Sequence, residues 1–78
     1  MENPVTQLMH EKDLTKSQFV DLLRYKVSQS SIYGWLEGSH VPTIGNVHLI
    51  LNQLDIDANE QLMWRSKFKQ WKMQQRRH

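Results

Sequence analysis

Apolar side chains recur three and four residues apart along nearly the whole chain, the spacing that gathers them on one face of an α-helix. Asn3 followed by Pro4 reads as an N-cap with proline at the first helical position, and Val5, Leu8 and Met9 give that helix one face. The helix should end near Asp13, because aspartate tolerates the left-handed backbone better than most residues and can stand where glycine is expected. Thr15 is the next N-cap, with Phe19, Val20 and Leu23 as the inward stripe of a second helix. After the connector "RYKV", Ser28 caps a third helix in which Ile32 and Trp35 face inward and Gly38 is the stop. Thr43, following Pro42, caps a fourth, with a stripe of Ile44, Val47, Ile50 or Leu51, and Leu54. Asp57 with Glu60 three residues on resembles a capping box and opens a fifth helix that runs to about residue 75. The only β-branched stretch, "HVPTIGNV", is interrupted by Pro42 and Gly45. The expected fold is all-α: five helices, the fifth extended.

Length and composition narrow the function. A chain of 78 residues makes one small domain, with room for a core of about a dozen side chains and little for a deep pocket. Cysteine is absent, which excludes a disulfide framework and a thiolate metal site and fits a reducing cytosol. No apolar run is long enough to span a bilayer or serve as a signal peptide, so a cytoplasmic, nucleoid-associated location is expected. The histidines His10, His40, His48 and His78 have no metal-ligand spacing, and no phosphate-cradling loop or catalytic signature occurs. Neither an enzyme nor a bound cofactor is expected.

Charge is unevenly placed. Residues 1–57 carry four Lys/Arg against seven Asp/Glu, while residues 58–78 carry six Lys/Arg against Glu60 alone. A body of net charge −3 thus precedes a tail of +5. Such asymmetry points to a polyanion, an acidic partner or a lipid surface, or simply to a solvated helix face.

The segments "LMHEKDLTKSQFVDLL", "VSQSSIYGWLEGSHVPT" and "IGNVHLILNQLDID" together resemble the lambda-repressor-like, Cro-type helix-turn-helix family, over roughly residues 5–57. The resemblance rests on several elements in the family's order. Leu14-Thr15 opens the second helix and Val27-Ser28-Gln29-Ser30 the third; Ile32 and Trp35 pair inward; Gly38 terminates; Val41-Pro42-Thr43 leads into the fourth. It implies a helix-turn-helix domain over 1–57, sequence-specific binding of double-stranded DNA, and a transcriptional repressor of phage or mobile-element type. It also implies that helix 28–37 enters the major groove. Gln29 would then pair with an adenine edge, Ser30 reach several bases, and Tyr33 touch a thymine methyl or a phosphate. Lys16, Ser28, His40 and Thr43 would hold the phosphate backbone, assisted by Arg24 and Lys26.

The chain departs from that family in three places. Gly34 stands where the family often has a long polar or basic residue; it either permits close approach to DNA, admits a partner's side chain, or is merely tolerated at about 1 kcal/mol relative to alanine. Three residues, Arg24, Tyr25 and Lys26, occupy a turn where the family commonly has one glycine, so the second helix gains part of a turn or the connector bulges. Leu22, Leu36 and Leu49 are apolar where the family is polar.

Trp64, Phe68 and Trp71 fall on one face of the fifth helix. Either the fifth helix folds back through this stripe and covers the chain's own globule, or, as the favoured expectation, Leu62 and Met63 do so and the aromatic stripe, with Leu49 beneath it, makes a homodimer contact over residues 58–78. Two recognition helices one DNA turn apart would read a palindrome. The alternative is a protein-binding module on the same scaffold, an antirepressor or antitoxin. A third class is a lipid-surface helix over residues 60–77.

Overall fold

The computed structural model describes residues 3–75 and contains five helices with no strand among them. They are α1 (Pro4–Glu11), α2 (Lys16–Leu23), α3 (Gln29–Glu37), α4 (Ile44–Gln53) and α5 (Ala58–Gln75). Each start has a side-chain acceptor for the amides that a helix leaves unpaired. Asn3, Thr15, Ser28 and Thr43 cap α1 to α4 as expected. At Thr15 the cap is a full capping box, in which the Gln18 side chain accepts from the Thr15 amide at 2.9 Å. The Asp57 carboxylate accepts from the Asn59 amide at 2.7 Å. Gln61, rather than Glu60, reaches back, donating to the Ile56 carbonyl at 2.8 Å.

The ends repeat one device. Asp13 follows α1 with φ 55° and Asp55 follows α4 with φ 56°. Beyond each, an apolar residue closes the turn through its amide: Leu14 donates to Met9 O at 3.0 Å and Ile56 to Leu51 O at 3.1 Å. The sequence reading anticipates Asp13 and misses Asp55. Gly38 ends α3 at φ 84°, and the amides of Ser39 and His40 both donate to Gly34 O.

The long connector resolves as extra helical turn. Arg24 stays in the right-handed region, and the amides of Lys26 and Val27 both donate to Leu23 O at 3.0 Å. No left-handed residue occurs between α2 and α3.

A single buried cluster runs from Val5 on α1 to Trp71 on α5, so residues 58–75 share one core with the described residues before them. Here the expectations for α5 are overturned. Trp64, Phe68 and Trp71 are 1%, 4% and 3% exposed within this one chain, whereas Leu62 and Met63 face outward at 65% and 46%. The cause is geometric. Leu62 and Trp64 stand about 200° apart around a helix of 3.6 residues per turn, so only one of them faces the core. Three aromatic rings bury roughly 150–250 Å² each and set the phase. The homodimer contact assigned to Trp64, Phe68 and Trp71 is therefore corrected: this stripe is monomer core, and Leu49, half-buried, packs against the same cluster. A lipid surface has no access to these rings either. Ile44 is a further correction. It sits on the first turn of α4, overhanging the gap toward α5, and is 81% exposed instead of facing inward.

Candidate nucleic-acid interface

The outer face of α3 is built from below. Ile32 and Trp35 are buried and pin the helix to the core. Its last turn is tied to the start of α1: the Asn3 amide donates to Trp35 O at 2.8 Å and to Leu36 O at 3.3 Å, while Asn3 Oδ1 accepts from the Val5 amide at 2.9 Å. One side chain thus caps the beginning of one helix and the end of another. The sequence reading sees only the first role, because the second joins residues 32 and 33 positions apart.

Above that anchor, Gln29 and Ser30 are exposed and Tyr33 is 39% exposed, one turn further along the same side. The amide of Gln29 is free to offer a donor and an acceptor in the fixed geometry that reads adenine. Ser28 is exposed and caps α3, accepting from the Ser31 amide at 3.3 Å; its hydroxyl also donates to Ser31 Oγ at 2.9 Å. A phosphate contact from Ser28 has to compete with that bond. Thr43 differs: its oxygen accepts from the Asn46 amide at 3.3 Å and its hydroxyl proton remains available. Lys16 is exposed at the first position of α2, outside any ion pair among the described residues. Arg24 is paired with Asp21 at 3.6 Å across an exposed surface, which partly neutralises it.

His40 answers the question posed by Gly34. A β-carbon on residue 34 would overlap the His40 ring, so the space a side chain would fill on α3 is filled by imidazole from the following loop. Gly34 lies one turn beyond Ser30 on the same side of α3, and His40 therefore sits at the edge of the candidate reading face. Tyr25, 60% exposed in the connector with Lys26 Nζ 6.0 Å from its ring centre, is a surface aromatic the sequence reading leaves unassigned.

A groove of about 570 Å³ opens between the start of α4 and the second half of α5. Ile44, Val47, Phe68 and Met73 form its apolar wall; Arg65, Lys69 and Lys72 bring the cations. Among the described residues, no group of His, Asp or Glu is placed to hold a metal ion, and no helix is long and apolar enough to cross a membrane.

No protein-family model, curated protein or solved structure matches the chain.

Proposed function

We propose that this protein is a sequence-specific, double-stranded DNA-binding transcriptional regulator of the helix-turn-helix type, with α3 as the helix that enters the major groove. The observation that carries the reading is the construction of α3. Its inner residues and its last carbonyls are fixed to the core and to Asn3, while Gln29, Ser30 and Tyr33 project from the first two turns of its outer side, with the exposed Glu37 on the last turn of that side. A reading helix needs both properties, since base contacts specify only when the backbone that carries them is held in register. Lys16, His40 and Thr43 supply the backbone contacts in this reading, with Ser28 chiefly as the cap.

Selection from a random duplex pool by the full chain, near physiological salt, tests the proposal. An enriched motif supports it, and loss of preference at one position in Gln29→Ala assigns the base. No enrichment by a folded sample overturns it. The same pool reports stoichiometry. Half-sites one helical turn apart require two copies, joined through a surface other than the buried aromatic stripe; a lone half-site means a monomer.

A further inference from the structure

The groove between α4 and α5 shares none of its lining residues with the side chains proposed to meet DNA, and its chemistry is different. Two residues of its apolar wall are widely exposed, Ile44 at 81% and Met73 at 58%. Arg65, Lys69 and Lys72 line it, no carboxylate does, and among the described residues none of the three enters an ion pair. The Arg65 guanidinium instead lies 3.0 Å from Nδ1 of His48, in the place where a guanidinium ordinarily finds an anion. Outside the groove, the same face of α5 carries on to Leu62. Leu62, Ser66, Lys69 and Met73 follow one another at spacings of four, three and four residues, a single face about 16 Å long at 1.5 Å per residue.

We propose that this groove receives an acidic amphipathic helix from a partner protein. An apolar stripe of about three turns would cover Ile44, Met73 and Leu62, and flanking Asp and Glu would meet Arg65, Lys69 and Lys72. An apolar stripe flanked by cations, with no sheet edge among the described residues, fits helix-in-groove recognition. A second copy of the chain docked symmetrically through this face would bring two sets of the same three cations together with no carboxylate to meet them. The chain's own residues 76–78, Arg-Arg-His, carry the wrong sign. A nucleic acid would satisfy the cations and leave the apolar wall in water.

The test is selection of 16-residue peptides from a random display library on the full chain, followed by titration of the enriched peptides into the isotope-labelled protein. The expected winners are acidic, carry apolar residues at i, i+3 or i+4, and i+7, and shift the amides of Ile44, His48, Ser66 and Met73. The surface variant Lys69→Glu/Lys72→Glu, which retains the wild-type spectrum, should weaken them at least tenfold, and the same peptides with Lys for Glu should recover binding to it. Any of the following results overturns the proposal. The library fails to enrich; the winners are neutral or basic; the charge-reversed variant binds them unchanged; or a random-sequence duplex shifts these amides while no peptide does. Concentration-dependent shifts of the same amides in the protein alone also overturn it, in favour of self-association.

Discussion

The imidazole of His40 lies against Gly34 so closely that no β-carbon fits between the two. Alanine at a helix interior is ordinarily better than glycine by about 1 kcal/mol. In this chain the gain is opposed by displacement of the ring. Once His40 is shortened to alanine, its remaining β-carbon stands 3.5 Å from the new methyl, an ordinary contact. Gly34→Ala should therefore leave stability near or below wild type, yet raise it by about 1 kcal/mol in a His40→Ala background. Urea unfolding of the four members of this cycle measures the coupling; equal effects in both backgrounds would show that the ring does not occupy the space.

Asn3 serves α1 and α3 at once. Asn3→Ala removes the acceptor for the Val5 amide and both donors to the last carbonyls of α3. A lost N-cap costs about 0.5–2 kcal/mol, and the bridge to Trp35 O should place this variant at the upper end of that range. Asn3→Asp separates the roles, because a carboxylate still caps α1 and cannot donate to α3. That carboxylate would also face the Trp35 and Leu36 carbonyl oxygens at the negative end of α3. The urea midpoint of Asn3→Asp is therefore expected at or below that of Asn3→Ala, whereas a midpoint close to wild type would show that the bridge to α3 contributes little.

The two faces of α5 predict opposite sensitivities. Trp71 is 3% exposed, and its ring edge lies at ordinary contact distance from the position a β-carbon would take on Gly38, so it braces the end of α3. Trp71→Ala should cost about 3–5 kcal/mol, a large share of what a domain of this size has. Leu62→Ser, on the opposite face and 65% exposed, should change stability by less than about 0.5 kcal/mol. Thermal unfolding at several protein concentrations checks both. A Trp71→Ala loss that disappears on dilution of the wild type would return the stripe to an interface between copies.

These contrasts mark where the sequence is legible. Caps are local, so Asn3-Pro4, Thr15, Ser28, Thr43 and Asp13 announce the ends of their helices within a few residues. The phase of α5 is not local. Its sequence offers two apolar faces, Trp64–Phe68–Trp71 and Leu62–Met73, and the choice is made by surfaces of α1 and α4 contributed from far along the chain. Ile44 has the periodicity of its stripe but sits on the first turn, beyond the part of α4 that the core covers. The Gly34–His40 contact had a signal that is readable in hindsight: a left-handed Gly38 turns the chain back, so a residue two positions later lies over the preceding turn of α3. Nothing local distinguishes the cationic groove, because Ile44 and Met73 become neighbours only through the packing of α4 on α5.

The side chains proposed to meet DNA divide into two kinds, and salt separates them. Lys16 is a surface cation with no reading geometry, so Lys16→Ala should weaken binding to every duplex and reduce the slope of log K against log salt by about 1. Gln29→Ala removes no charge; its salt slope should equal that of wild type, with a loss of about 1–3 kcal/mol confined to duplexes bearing the preferred base. Fluorescence anisotropy on matched and mismatched duplexes across a salt series measures both quantities together. A uniform loss on all sequences for Gln29→Ala would assign it to the backbone. A base-dependent loss for Tyr33→Phe with Gln29→Ala unaffected would move the reading contact one turn toward Gly34 and His40, where the imidazole already stands in for the missing side chain.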